Sequence, residues 1–498
     1  MKLTEIMDGL DFTVLRGNAD IEIEDIVYDS RKARPGTVFV CMKGAKFDSH
    51  TAAKSAVEKG AAAVVCERDV DTGDGDVTVL QVADTRTDLA YMAANYFGHP
   101  ADQLKKIGVT GSKGKTTTTY MLKQILETAG HKTGLIGSIE ALSGNKSLDP
   151  GGHTTTPESY EIHRLFREMA DDGCEFVVME TSSQSFKMHR TAGITFDVGI
   201  FLNIFRDHIS PWEHATLEEY LACKSVLMKT SKVGICNFDD PKLPHILMGN
   251  NLEELHTFGF NEGADVRCTG YKPIQRPNYM GIEYEVTGEM DLTIRAGSPG
   301  KFSVYDSLSA AMAAKHFGIP DSVIVDALDQ VKIRGRVEKV QIDAPFSVIL
   351  DFAHNGIGIA NLVAAMKDYD PNHIIAVFGS DGNRTKIRRA DAGEILGNTV
   401  DFTILTSNCP RDEEVEDIDR EIMVGLDRTP GKYIEIVDRR SAIKYAMDHA
   451  EPGDVILLIG KGHWDYEEIK GKMYPFDERQ VVTELWDELQ AEGWAPGR

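Results

Sequence analysis

The sequence predicts an α/β fold of three domains, with a central phosphate-loop domain on a mainly parallel sheet, a small N-terminal α/β module and a C-terminal Rossmann-like domain. Three observations carry this. The chain has 498 residues, and at about 150 residues per domain that length suggests three modules. Short β-rich runs alternate with helical stretches throughout, the pattern of strands joined by crossover helices. One strand-to-helix junction is a glycine-rich turn that ends in lysine and threonine.

The composition is 42% hydrophobic and 27% charged, without long polar tracts. Each module can therefore bury a core, and none has the make-up of a disordered chain. A formal net charge of -24 excludes a duplex-coating nucleic-acid binder, which needs a basic face. Anionic ligands must then be met at local sites. The opening MKLTEIMDGLDF has no apolar signal core, and no run of about eighteen apolar residues occurs. Neither secretion nor membrane insertion is expected, and the cytoplasm is the default. Cys41, Cys66, Cys174, Cys223, Cys236, Cys268 and Cys409 stand singly with no CxxC pair, as reduced thiols do, and not as a zinc site or disulfide frame.

In the first module DIVYDS, TVFVCM and AAVVCE surround a helical stretch, TAAKSAVEKG, closed by Gly60. It ends near residues 96–100, where glycine and proline interrupt a helical pattern. The second runs from KKIGVT through EFVVME, FDVGIFLN and KVGICN to a helix around SLSAAMAAKHFG that ends near Gly318 and Pro320. The third repeats the logic with SVILDF, HIIAVFG, FTILTS, YIEIVD and VILLIG, a second open twisted sheet. No fixed-period repeat is present, which excludes a solenoid.

The strand KKIGVT meets the helix TTTTYMLKQILETAG through Gly111, Ser112, Lys113, Gly114, Lys115, Thr116 and Thr117. The spacing is GxxGKT, with Val109 where the commoner phosphate loop has its first glycine. Glycines let backbone N–H groups converge on phosphate oxygens, and the helix N-terminus adds positive dipole. Lys115 can reach terminal phosphates and the Thr116 hydroxyl can ligate Mg²⁺, so ATP and Mg²⁺ are the expected cofactors of this phosphate-loop ATPase domain. Glu180 follows the strand FVVM, and His208 follows FDVGIF within Asn203–His208. Both come at strand ends, where open α/β sheets gather ligands, and both are candidates for the metal. Lys224, in LEEYLACKSVLM, reads by itself as a surface lysine.

Six separated motifs resemble those of the Mur ligases, most closely the members that add the third amino acid of the peptide. They are residues 28–31 with Pro35, Gly36 and 48–50; 111–116; 155–159; 180–183; 203–208; and 351–355. The similarity runs over nearly the whole chain. It implies an ATP-dependent ligase that joins an amino acid to UDP-MurNAc-L-Ala-D-Glu through an acyl-phosphate, as a monomer with no nucleic-acid partner. The implied domains are 1-100 for the UDP substrate, 101-333 for ATP and 334-498 for the amino acid. Ser30 and His50 would bind the UDP portion, Thr155, Thr156 and Ser182 the muramoyl-peptide, and Arg190 a substrate anion. Lys115, Glu180, His208 and Lys224 would be catalytic, with Lys224 carbamylated and joining Thr116, Glu180 and His208 as metal ligands. Arg336, Asp351 and His354 would contact ATP from the third domain.

Asp306 also falls at a nucleotide-contacting position, but where the family usually has asparagine; as a carboxylate it is expected to accept and not donate a hydrogen bond. Asn408, Arg411, Gly460 and Trp464 would form the amino-acid site. Cys409 replaces the asparagine and Trp464 the glutamate common in diaminopimelate-adding members. Arg411 can clamp a distal carboxylate, which favours meso-diaminopimelate, with L-lysine next. Two other readings stay open: a folylpolyglutamate-synthetase-like ligase, disfavoured by the YDSR module, and a non-catalytic paralogue that binds the nucleotide-sugar peptide.

Overall fold

The structure is a computed structural model that describes residues 1–44, 47–152, 154–205, 209–210, 213–276, 279–383 and 386–496. These form two compact units, Met1–Arg267 with Leu308–Ile324, and Cys268–Ser307 with Val325–Arg498. The first unit holds residues 1–100 and most of 101–333, and the second holds 334–498 together with 268–307 and 325–333.

The N-terminal domain is a five-stranded sheet in the order Thr13–Arg16, Thr78–Gln81, Ala63–Cys66, Thr37–Val40, Asp25–Val27. The last four strands are parallel and the edge strand Thr13–Arg16 runs against them. The helix Thr85–Tyr96 starts on Asp84, whose carboxylate accepts from the Arg86 and Thr87 backbone N–H groups, as N-caps do.

The central sheet places Lys105–Thr110 between Phe176–Glu180 and Phe196–Phe201, all parallel. Thr133–Ile136 continues it on one side, and Ser231–Asn237 and Glu254–Gly259 on the other. The chain leaves Lys105–Thr110 for Thr133–Ile136, skipping the neighbouring place that Phe176–Glu180 later fills. The strand order therefore switches direction at Lys105–Thr110, and in such sheets ligands bind at the carboxyl ends of the strands flanking that point. Every strand predicted here is present. Two short antiparallel strands, Ala141–Ser143 and Lys146–Leu148, were not expected, because three residues carry no readable periodicity.

In the second unit Ser347–Asp351, Val455–Ile459, Ile374–Phe378, Phe402–Leu405 and Lys432–Glu435 form a parallel sheet in that order, edged by the antiparallel Glu338–Lys339. Its apolar strands are buried on both faces, one under the helices Gly356–Lys367 and Ile387–Thr399, the other under Arg439–Asp448 and Glu478–Ala491. The register sets Asp351 beside Ile459 and Ile459 beside Phe378, so the loops after these strands open at one end of the sheet. An antiparallel pair, Tyr279–Gly288 with Leu292–Ala296, also belongs to this unit. Among the described residues no helix is long and apolar enough to cross a membrane.

Candidate functional site

The phosphate loop is built by its neighbours. Gly114 takes φ +89° at the N-cap of the helix Lys115–Thr128, a conformation that favours glycine. Asn203, at the end of the adjacent strand, accepts the Lys113 N–H on Oδ1 at 2.9 Å and donates Nδ2 to the Lys113 carbonyl at 3.1 Å. The Ser112 hydroxyl meets Tyr220 Oη at 2.8 Å and accepts the Phe205 N–H at 3.0 Å. The loop is thus pinned before any phosphate arrives. Lys115 Nζ donates to the Gly111 carbonyl at 2.9 Å.

Thr116 and Glu180 come together. Thr116 Oγ1 donates to Glu180 Oε1 at 2.9 Å, and both side chains are buried. Ser138 adds its backbone N–H to Glu180 Oε1 at 2.9 Å and its hydroxyl to Oε2 at 3.1 Å. The Ser138 hydroxyl also lies 3.0 Å from Thr155 Oγ1. A continuous chain Thr116–Glu180–Ser138–Thr155 therefore joins the phosphate loop to the residues assigned to the muramoyl-peptide. Thr156 Oγ1 donates to the Glu180 carbonyl at 2.8 Å and lies 3.2 Å from Ser182 Oγ. Arg190 meets the Thr156 carbonyl at 2.8 Å and Glu158 at 2.7 Å.

The default reading of Lys224 as a surface lysine is wrong. On the helix Leu217–Lys229 it is 2% exposed, with Nζ 2.9 Å from the Gly111 carbonyl and 5.0 Å from the Tyr220 ring centre. The Gly111 carbonyl is the same one that Lys115 meets. His208 lies outside the described residues.

Ser30 opens a short turn capped by Asp29, and its carbonyl accepts from Lys59 Nζ at 2.9 Å. His50 is buried; its Nδ1 meets Asp48 at 2.7 Å and its Nε2 accepts the Glu67 N–H at 3.1 Å. With both nitrogens used inside the domain, the ring shapes the loop at 48–50. The Arg68 guanidinium beside Asp48 holds that carboxyl well below the usual carboxylate range, and His50 adds to the effect.

In the second unit Asp351 accepts the Val337 N–H at 2.9 Å and the Ala353 N–H at 2.7 Å. The Phe352 ring stands between Arg336 at 4.7 Å, His354 at 5.2 Å, His463 at 4.9 Å and Trp464 at 5.3 Å. The structure thus gathers Arg336, Asp351, His354 and Trp464. Burial, with Arg336 second, pushes the His463 imidazole down to about 3, so it is neutral. Asp306 is buried, and burial pushes its carboxyl well above the ordinary carboxylate range.

Around Arg411 the arrangement is different. Its Nε meets Glu468 Oε2 at 3.1 Å, and its backbone adopts φ +54° to make the contact with the Tyr466–Ile469 strand. Asn408 is buried; Nδ2 donates to Asp381 Oδ1 at 2.9 Å, and Oδ1 has no hydrogen-bond partner among the described residues. Gly460 takes φ +109°, and a Cβ there would stand 3.2 Å from Asn408 Nδ2. Cys409 is buried, with Sγ 3.9 Å from the Tyr466 carbonyl, and burial pushes its thiol up. Trp464 stacks on Tyr466 at 5.5 Å.

Sequence reasoning missed Ser138, Tyr220, Glu468, Arg389 and Arg439. None belongs to a spacing motif; only contacts across the fold mark them. Arg389 holds the Asp381 carbonyl at 2.9 Å while paired with Glu413 and Glu421. Arg439 is fully buried, pairs with Glu478 at 2.6 Å and donates to the Ser407 and Ile459 carbonyls at 2.8 and 3.3 Å. It therefore ties together the two strand ends that precede Asn408 and Gly460. Replacing it strands Glu478 in the interior, so Arg439→Met should destabilise the C-terminal domain by about 3 kcal/mol, read by denaturant unfolding. An unfolding curve that matches the unchanged protein would show the pair to be dispensable.

A pinned phosphate loop at the switch point of a parallel sheet, in a chain of three α/β domains, defines a nucleotide-dependent phosphate-loop enzyme. The chain belongs to the Mur ligase family, and it is an ATP-dependent amide-bond-forming ligase. It matches the Mur ligase family catalytic domain over residues 22–107, the middle domain over 109–314 and the glutamate ligase domain over 335–462. It is 39% identical to the UDP-N-acetylmuramoyl-L-alanyl-D-glutamate--2,6-diaminopimelate ligase of Clostridium perfringens, over 97% of this chain and 99% of that one. The enzyme of the same name from Caldanaerobacter subterraneus is also 39% identical, over 98% and 100%. A solved ligase of that name shares the fold with a TM-score of 0.69 at 24% identity, covering 98% of this chain and 99% of the other. The folylpolyglutamate synthase of Mycobacterium tuberculosis shares it at 0.61 and 16% identity, over 82% of this chain and 96% of its own.

Proposed function

We propose that this chain joins meso-diaminopimelate to the D-glutamyl carboxylate of UDP-MurNAc-L-Ala-D-Glu, with ATP cleaved to ADP and phosphate, as a cytoplasmic monomer in peptidoglycan precursor synthesis. The observation that carries it is the hydrogen-bonded chain Thr116–Glu180–Ser138–Thr155. It couples a phosphoryl-donor loop to a substrate-side threonine, as a reaction between γ-phosphate and carboxylate requires.

A free carboxylate is too poor an electrophile to form an amide. Its attack on the γ-phosphate expels ADP and gives an acyl-phosphate; the amine then attacks the acyl carbon, expels phosphate and loses a proton. Lys115 sits where its ammonium neutralises charge that builds on the transferred oxygens. Thr116 and Glu180 are a buried hydroxyl and carboxylate in contact at 2.9 Å, an oxygen set that fits Mg²⁺. Carbamylation of Lys224 would add two more oxygens beside the loop, and His208 completes the assigned ligands. When bound, the ion supplies charge neutralisation for the phosphoryl oxygens. Thr155, Thr156, Ser182 and Arg190 hold the muramoyl-peptide, and Ser30 with the loop shaped by His50 holds the UDP portion. From the domain assigned to residues 334-498, Arg336, Asp351 and His354 position ATP, with Asp306 at its edge.

The Arg411–Glu468 pair supports diaminopimelate as the amino acid. Its distal centre carries both a carboxylate and an ammonium, and this site offers one group of each opposite charge, whereas lysine ends in an ammonium alone. Asn408 Oδ1 is a further acceptor, and Gly460 and Trp464 complete the wall. Arg411→Ala should raise the KM for diaminopimelate about tenfold to a hundredfold and leave that for the nucleotide substrate nearly unchanged. Offered a panel of amino acids with UDP-MurNAc-L-Ala-D-Glu and ATP, the protein should yield the diaminopimelate product by mass spectrometry. A preference for L-lysine would remove Arg411 as the selecting residue, and no substrate-dependent release of ADP would support the non-catalytic reading.

A further inference from the structure

We propose that Glu254, His256 and His316 form a binding site for one divalent transition-metal ion of the zinc type, separate from the phosphate-loop chemistry. One ligand atom from each residue lies within 4.8 Å of the other two. Glu254 Oε2 is 3.4 Å from His256 Nε2 and 4.0 Å from His316 Nδ1. Around a tetrahedral ion with bonds of about 2.0–2.1 Å, adjacent ligand atoms stand about 3.3 Å apart. The first edge already has that span, and a small side-chain rotation closes the second. Two imidazoles and one carboxylate leave a fourth position for water, the donor set of borderline ions and not of Mg²⁺ or Ca²⁺.

The three residues are held on regular elements. Glu254 and His256 are two apart on the strand Glu254–Gly259, so their side chains share one face. His316 ends the helix Lys301–His316, where the terminal carbonyls favour a cation. Its ring packs edge-on against Phe317 at 5.2 Å, and Phe317 packs on Phe176 at 5.0 Å, which limits how the imidazole can turn. Glu254 and His316 reach the surface while His256 is partly buried, so an ion can enter from solvent and meet one more sheltered imidazole. An ordinary surface ion pair needs one histidine, and such pairs contribute about 0–1 kcal/mol; two imidazoles aimed at one carboxylate are better explained by a shared ligand.

The position excludes the reaction centre. Glu254 is the first residue of its strand and pairs with Val233, while the phosphate loop follows the last residue of a parallel strand in the same sheet. The site therefore lies toward the opposite end of the strands and would clip the strand Glu254–Gly259 to the helix end. A bound ion is expected to stabilise this part of the first unit without entering catalysis.

The test uses the full chain stripped of metal, titrated with Zn²⁺ by calorimetry in excess Mg²⁺, with Co²⁺ as a spectroscopic probe. One site should appear, lost in H256A and H316A and weakened at least about tenfold in E254Q. The Co²⁺ complex should show the strong visible bands of tetrahedral ligation without thiolate charge transfer. Zn²⁺ should raise the thermal midpoint of the unchanged protein and not of H256A, while substrate-dependent phosphate release stays equal in both. Equal Zn²⁺ affinity in the protein and all three variants, or a thiolate band that assigns the ion to a cysteine, would overturn the proposal.

Discussion

Lys115→Ala should reduce turnover by about 10³-fold or more while the protein remains folded. The ammonium lies beside the Gly111 carbonyl at the mouth of the phosphate loop, and its charge is needed where negative charge builds during phosphoryl transfer. Loss of a single such donor in a preorganised site costs about 10²–10³ in rate, and here a full charge is lost as well. The side chain is only partly buried and anchors no core, so stability should change by no more than about 0.5 kcal/mol. Phosphate release under saturating substrates measures the first effect, and thermal unfolding the second. Release at the unchanged rate would remove Lys115 from the reaction.

Lys224→Ala is expected to lose at least about 10²-fold in rate and to recover part of it with added acetate or formate. A lysine that is 2% exposed and sits 2.9 Å from the loop carbonyl is where a carbamate could present oxygens to a metal, and a short carboxylate can occupy the space the variant opens. The variant also loses a buried hydrogen bond, at a cost of about 1–2 kcal/mol. Rescue separates the two effects, because a carboxylate cannot restore a merely unfolded protein. Full activity without rescue would make Lys224 a packing residue. A variant that is inactive, folded and indifferent to carboxylates would assign it to loop support through Gly111.

The sequence by itself determined the class of fold, the phosphate loop and the strand-end position of Glu180. Each of these is local: alternating apolar runs specify strands, helical periodicity specifies crossovers, and glycines before lysine and threonine specify a phosphate cradle within a few residues. The strand order was decided only in three dimensions. Local pattern says that KKIGVT, FVVM and FDVGIF are strands, but not that the first lies between the other two, and it is this order that brings Thr116, Glu180 and Asn203 together.

Charge states and partners also needed the fold, because they depend on burial and on neighbours distant in sequence. Lys224 looks like a surface residue in LEEYLACKSVLM, and only the packing of its helix against the loop buries it. Nothing local to Asp306 shows the burial that raises its carboxyl above the ordinary range. Arg411 stands out in its motif as a carboxylate-binding candidate, whereas Glu468, the carboxylate it meets from a separate strand, does not stand out at all. The His256–His316 pair was invisible for the same reason: the two lie 60 positions apart in the sequence, and only the meeting of a strand with a helix end turns scattered side chains into one set of ligands.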